Sequence, residues 1–156
     1  MKKALNLFLL ITLISCTPKE YDFDFNGKWV LLTTEYNGKE IRNEIIHSSL
    51  LSYTIRDKKY FPAIRFKGSD STVIVPGTNM NEEELLFSVD KNLKNIQFYK
   101  KEKSDKTSLI DKLFINKFDI KKDIRLGRLT LKSDSTIIYM MPAERFANEI
   151  KGSQLD

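Results

Sequence analysis

The 156-residue chain contains one cysteine, Cys16, and one histidine, His47. A single cysteine cannot form an internal disulfide bond, and one histidine without further cysteines cannot supply the usual ligands of a zinc site. The chain also lacks a Gly-x-Ser-x-Gly nucleophile motif and a phosphate-binding glycine loop. We therefore expect no metal, no cofactor and no enzymatic activity, and the sequence assigns no role to His47.

Long hydrophobic runs are also scarce. The one extended apolar stretch, Ala4 to Ile14, has about half the length that a membrane-spanning helix needs, so we expect no transmembrane helix. Because Lys2 and Lys3 precede this stretch, the pattern instead predicts a secretory signal peptide over residues 1–15.

The apolar stretch ends in the tetrapeptide Leu-Ile-Ser-Cys at residues 13–16, which resembles the lipobox of bacterial lipoproteins. The small Ser15 suits a protease subsite that a bulky side chain would block. The resemblance implies cleavage before Cys16, attachment of a diacylglycerol to its sulfur and acylation of the freed amine, for example by palmitate. Two or three such chains give stable membrane anchoring. The resemblance thus implies a protein of the cell envelope, with the outer membrane as the expected location. The charged residues and early proline that follow Cys16 predict a tether over residues 16–25.

Neither sign of charge is in large excess in the chain. The formal net charge at pH 7 is +5, which is too weak and too evenly spread to predict a nucleic-acid partner. The acidic run from Glu82 to Glu84 lacks the ligand spacing of an EF-hand calcium loop and is typical of a solvated face. These charges identify no protein partner.

From residue 26 onward, apolar and polar residues alternate with a period of two in short runs, which predicts half-buried β-strands. Asn37-Gly38 is a strong hairpin signal, because both residues tolerate positive φ. The string Ser-Asp-Ser-Thr occurs at 69–72 and at 133–136, either as one hairpin solution used twice or as a chance reuse of turn residues. About eight strands in an antiparallel meander would bury their edges by closing into a barrel. We therefore predict a small all-β, antiparallel up-and-down barrel over residues 26–156. The predicted strand faces include those of Trp29, Leu31 and Thr33; of Phe114, Asn116, Phe118 and Ile120; and of Ile137, Tyr139 and Met141.

Three segments depart from the alternation. Ile41 to Leu51 has apolar residues at helical spacing, so it can form a short helix that caps the barrel, or a strand and a loop. Lys100 to Lys106 is almost wholly charged and is expected to be an exposed loop. Ala143 to Lys151 lies between Pro142 and Gly152, which suits a short C-terminal helix.

The motif Gly27-Lys28-Trp29 at the start of the first predicted strand resembles the opening of the lipocalins. The mature domain as a whole resembles the bacterial lipocalin-like lipoproteins over most of residues 26–146. The matching features include the strand Val30 to Tyr36 and the closing pair of strands, Arg128 to Lys132 and Thr136 to Met141. The resemblance implies a lipocalin-like barrel, which often carries an apolar cargo.

The same resemblance implies a structural role for Gly27 and Trp29. In lipocalins the tryptophan closes one end of the barrel, and a basic residue near the last strand packs across its ring. By position Arg145 is the first candidate for that residue here, and Arg128 is the second.

Five phenylalanines are expected in the barrel interior: Phe66, Phe87, Phe98, Phe114 and Phe118. They can line a pocket, with Asn116 and Tyr139 as inward polar groups, or they can fill the core, because an eight-stranded barrel is just wide enough for side chains. The first alternative predicts a lipoprotein that binds a small apolar ligand such as a fatty acyl chain. The second predicts a structural or accessory envelope lipoprotein that acts through its surface.

Overall fold

The computed structural model describes residues 24–46, 52–54, 60–77, 81–102 and 108–152. The predicted signal peptide, Cys16, most of the predicted tether and His47 lie outside these ranges. Within them the chain forms β1 (Gly27–Tyr36), β2 (Lys39–Glu40), α1 (Arg42–Ile46), β3 (Ser52–Thr54), β4 (Tyr60–Lys67), β5 (Thr72–Pro76), β6 (Glu82–Val89), β7 (Asn95–Tyr99), α2 (Leu109–Phe114), β8 (Lys117–Asp123), β9 (Arg128–Lys132), β10 (Thr136–Pro142) and α3 (Ala143–Gly152). None of the helices in the described ranges is both long enough and apolar enough to cross a membrane.

Eight of the strands close into a barrel. β1 pairs antiparallel with β10 on one side and, through residues 27–30, with β4 on the other. From β4 to β10 each strand pairs with the next one along the chain, and all of these pairings are antiparallel. The two shortest strands lie outside the ring, β2 against β1 and β3 against β4. The predicted all-β up-and-down barrel with a short C-terminal helix is therefore confirmed.

The turns between strands use the residues that the sequence singles out. Asn37 and Gly38 have φ values of 50° and 76°, as a tight hairpin requires. The two Ser-Asp-Ser-Thr strings both precede a strand, but their backbones differ. Ser71 is left-handed after a short 3-10 helix, whereas the Oγ of Ser133 accepts a hydrogen bond from the Thr136 amide. The repeated string therefore supplies turn-forming residues at both places but does not form the same turn twice.

The alternation predicted for β1 is wrong beyond Leu31. The register with β10 shifts between Leu31 and Thr33, which marks a β-bulge. As a result Thr34 is fully buried, while Thr33 is half-buried and lines a groove on the outer wall. One extra residue reverses the orientation of every later side chain, because the strand period is two.

α1 and α3 lie where the sequence predicts helices. Ile41 and Ile45 are buried in the barrel core, so α1 caps the barrel, as one of the two alternatives for this segment predicted. α3 packs on the outer wall, where Ala143 and Phe146 belong to a second apolar cluster. The ring of Phe146 lies 5.1 Å from that of Phe61 on β4. The helix thus covers one side of the barrel.

The strand predicted to begin at Phe114 is wrong, because residues 109–114 form α2 and β8 begins only at Lys117. Ser108 and Asp111 start the helix with a capping box. The Asp111 amide donates to the Ser108 hydroxyl and the Ser108 amide donates to the Asp111 carboxylate, each at 3.0 Å. Such reciprocal bonds satisfy two backbone donors that the first helical turn leaves unpaired. Phe114 therefore enters the core from a helix.

Candidate functional site

Aromatic rings that contact one another fill the middle of the barrel. All five phenylalanines predicted to face inward are buried, with between 0 and 7 % of their surface exposed. The ring centroids lie 5.2 Å apart for Phe66 and Phe87, and 6.1 Å apart for Phe66 and Phe98. Phe98 also lies 5.7 Å from Phe118 and 6.5 Å from Phe114. These separations are typical of aromatic pairs in contact, about 4.5–7 Å, so the rings connect opposite walls of the barrel.

Trp29 lies at the pole of the barrel where β1 begins, which we call the N-terminal pole. Its side chain is 2 % exposed, and the ring of Phe25 stacks on it with centroids 6.3 Å apart. Phe25 also lies 5.1 Å from Phe66, so the aromatic packing continues from this pole into the core. Phe25, which the sequence analysis places in the tether, is therefore part of the barrel.

At the other end, which we call the opposite pole, two helices cover the strands. Ile45 of α1 and Ile110, Leu113 and Phe114 of α2 are at most 2 % exposed and join the same core cluster as the interior rings. The capping box of α2 fixes where that helix begins. Apolar side chains therefore enter the barrel from both poles.

A salt-bridge cluster holds α2 to the strands. The Lys100 Nζ lies 2.6 Å from a carboxylate oxygen of Asp111 and 2.7 Å from one of Glu83. The Asp111 side chain is 5 % exposed and that of Lys100 is 23 % exposed. Lys100 was expected in an exposed loop, and this expectation is wrong for that residue. Ile96 and Phe98 on β7 are buried. Lys100 follows directly after β7, two residues beyond Phe98, so the period of two directs its side chain to the same face as these two residues.

The cluster shifts the pKa of both Lys100 and Asp111. Burial by itself would raise the pKa of Asp111, but hydrogen bonds from Lys100 and from Ser108 hold it below its ordinary value. Hydrogen bonds to Asp111 and Glu83 raise the pKa of Lys100. The two groups are therefore charged at neutral pH, which suits a structural bond and not proton transfer. Within the described ranges, no group of three or more His, Cys, Asp and Glu side chains is placed to hold a metal ion.

The two polar residues expected to orient a ligand have other surroundings. The Nδ2 of Asn116 donates to the backbone carbonyls of Lys112 at 2.9 Å and Leu113 at 3.4 Å, so this amide binds the end of α2. Tyr139 is 39 % exposed and lies on the outer wall. Its predicted inward orientation is wrong, because the inward positions of β10 are its buried neighbours Ile138 and Met140.

The two arginines considered as partners of Trp29 connect α3 to the turn between β8 and β9. Arg145 donates from Nη2 to the Arg125 carbonyl at 3.2 Å and from Nε to Glu149 at 3.4 Å. Arg128 reaches the same Glu149 carboxylate at 3.4 Å. The packing of either guanidinium across the Trp29 ring stays a prediction.

Open grooves lie on the outer surface of the barrel. One of about 490 Å³, which we call the Tyr139 groove, combines Leu32, Leu126 and Tyr139 with the charged Glu35, Lys121 and Arg128. Another of about 520 Å³ is polar and includes Asn116 and Asp134. The Tyr139 groove therefore offers aliphatic, aromatic and charged groups together on the outer wall.

No protein-family model matches the chain, and no curated protein or solved structure matches it either. The fold itself defines the molecule as a closed, eight-stranded antiparallel β-barrel. Its interior is packed with aromatic rings, and open grooves lie on its outer wall.

Proposed function

We propose that this chain is a lipid-anchored lipoprotein of the bacterial cell envelope, and that its lipocalin-like barrel acts through its outer surface. The proposal of an anchor is supported by the resemblance of residues 13–16 to a lipobox and by Cys16 being the only thiol of the chain. Acylation would hold the barrel beside the membrane.

The contacts among the interior rings support the second of the two functions that the sequence leaves open, the role at the surface. Phe98 is in ring contact with Phe66, Phe114 and Phe118 at once. A pocket for a small ligand has a volume of about 300–1,000 Å³. To make such a space here, the barrel would have to separate rings that contact one another. The geometry therefore favours the structural or accessory role over the carriage of a fatty acyl chain.

The Tyr139 groove is the surface that best suits an accessory role. Tyrosine and arginine are enriched where proteins contact each other, because both bury a large area and still offer polar groups. Tyr139 is the exposed aromatic residue of the groove, and Arg128 also lines it. We infer that a protein of the envelope binds here.

Ligand binding by the domain from residue 20 onward tests the choice of function. We expect fluorescent fatty acids to show no saturable binding at micromolar concentrations, because the rings occupy the space that an acyl chain would need. Saturable binding that an unlabelled fatty acid displaces would overturn the filled interior and favour the ligand carrier.

Processing of the full chain tests the anchor. Cys16→Ala should leave the protein unprocessed or release it from membranes, because no sulfur remains to accept the lipid. Ser15→Ala is the matched control, since it keeps a small residue before the cysteine and should be processed normally. If Cys16→Ala is processed and partitions into membranes as the wild type does, the anchor is refuted.

A further inference from the structure

Three turns lie at the N-terminal pole. The strand register places residues 68–71, 90–94 and 124–127 at the same end of the barrel as Gly27, where β1 begins. The described chain therefore begins at the pole that carries these three turns.

One of these turns presents an apolar side chain to solvent. Ile124 is 46 % exposed, more than any other large hydrophobic residue in the part of the chain that the structure describes. It follows Asp123 at the end of β8, and the Asp123 carboxylate accepts a hydrogen bond from the Leu126 amide. The hydrogen bond holds the turn in shape, and Ile124 is the first residue of the turn.

Cations accompany Ile124 at the same pole. Lys91, Lys94 and Arg125 are exposed in two of the three turns. The turns contain two carboxylates, of which Asp90 is engaged by the amides of Lys94 and Asn95 and by the Asn95 side chain. These hydrogen bonds lower the pKa of Asp90, so its carboxylate stays ionised and is held within the turn. The pole therefore presents one exposed apolar residue together with three exposed cations and the exposed carboxylate of Asp70.

The position of Cys16 brings this pole close to a bilayer if the anchor of the proposed function holds. Nine peptide bonds separate Cys16 from Phe25, and such a segment spans at most about 30 Å. A tether of this length keeps the N-terminal pole at a high local concentration near lipid headgroups. Contacts with lipid that are too weak to hold a free protein at the membrane can then form.

We propose that the N-terminal pole is a membrane-contacting surface, with Ile124 entering the interfacial region and Lys91, Lys94 and Arg125 facing lipid phosphates. This inference rests on the lipid anchor and adds an orientation to it. An apolar side chain among cations is the combination that binds the surface of anionic bilayers. The barrel then stands on this pole, and the Tyr139 groove, which Leu126 of the same turn also lines, extends along its side wall.

The test uses the full chain, processed and lipidated, in vesicles. Because lipidation consumes the only native thiol, Ile124→Cys provides a unique site for a polarity-sensitive fluorophore. Asp134→Cys, in the exposed turn between β9 and β10 at the opposite pole, is the matched control. Vesicles of phosphatidylcholine alone are compared with vesicles that also contain phosphatidylglycerol.

We expect the label at position 124 to shift to shorter wavelength and to be quenched by lipid-borne quenchers, and the label at position 134 to stay as in water. The shift should be larger with phosphatidylglycerol and smaller when Lys91→Glu and Lys94→Glu are added. A shift that is independent of phosphatidylglycerol and of both substitutions would overturn the role of the cations.

Flotation of the vesicles separates failure of this inference from failure of the anchor. Protein that floats with the vesicles while both labels remain in water refutes the membrane-contacting pole and leaves the anchor standing. Protein that does not float refutes the anchor, and the orientation with it.

Discussion

The ammonium group of Lys100 lies 2.6 Å from the carboxylate of Asp111, and the same carboxylate accepts the Ser108 amide that begins α2. One buried acid thus links the helix cap to the strand wall. The next residue, Lys101, instead reaches the exposed Glu84 at 3.2 Å. Two adjacent lysines therefore form one buried and one exposed ion pair, which offers an internal comparison.

Lys100→Met should lower the free energy of unfolding by about 1–3 kcal/mol, because it leaves the Asp111 carboxylate without its cation and with the Ser108 amide as its remaining partner. Lys101→Met should leave it almost unchanged, since exposed ion pairs contribute little to stability. Chemical denaturation of both variants measures the difference. Equal losses would contradict a structural role for the buried pair.

The same pair predicts how stability depends on pH. The pKa of Asp111 is lower in the folded state, so its contribution is complete above the unfolded value of about 3.9 and is lost as pH falls through the folded value. The pKa of Lys100 is raised, so its contribution is lost only as pH rises above about 10.5 and through the folded value. Asp111→Asn should therefore flatten the acid limb of the stability curve. If the variant loses stability at low pH with the same slope as the wild type, Asp111 is not responsible for the acid limb.

The sequence predicts the fold well where local chemistry decides it. The turn at Asn37 and Gly38 requires a positive φ at both positions, which few residues other than Asn and Gly tolerate. Ala143 follows a proline, which suits the start of a helix. The α2 helix is missed because Phe114 and Phe118 fit a strand period, although the spacing of Ser108 and Asp111 is visible as a capping signal.

The candidate site is harder to predict, because period-two alternation does not say which of two faces is the interior. The face of Ile137, Tyr139 and Met141 is the outer one, and Met141 is buried there only because α3 covers it. A β-bulge within β1 likewise depends on its pairing with β10 and has no local signal. Lys100 looks solvated in the sequence, since its partner Asp111 is brought close only by the tertiary fold.

Thr34→Val should stabilise the barrel by about 1 kcal/mol. The Thr34 hydroxyl is fully buried and finds no hydrogen-bond partner among the residues that the structure describes, and an unpaired buried hydroxyl costs free energy. Thr33→Val, a matched change on the half-buried outer side, should have a smaller effect. Thermal unfolding compares the two variants. A loss of stability for Thr34→Val would mean that the hydroxyl is paired.

Gly127→Ala should destabilise the barrel by more than 1 kcal/mol, because φ is +58° and an added methyl group is strained there. The new Cβ would also lie 2.6 Å from Nη1 of Arg145, which would displace the guanidinium from the Arg125 carbonyl. In an Arg145→Ala background the cost should shrink to that of backbone strain alone. A double-mutant cycle measures this coupling, and additive losses would contradict the predicted contact.

The filled interior is tested most directly by removing the ring at its centre. Phe98→Ala should lower the free energy of unfolding by about 3–5 kcal/mol and leave an apolar cavity, which can stay dry and accept benzene. Tyr99→Ala, which removes the neighbouring ring that is 38 % exposed, is the control. The measurement is the melting temperature of the domain from residue 20 onward, with and without benzene. Our account predicts that benzene raises the melting temperature of Phe98→Ala and leaves those of the wild type and Tyr99→Ala unchanged. An equal rise in the wild type would mean that the barrel already holds a pocket, and would contradict the account.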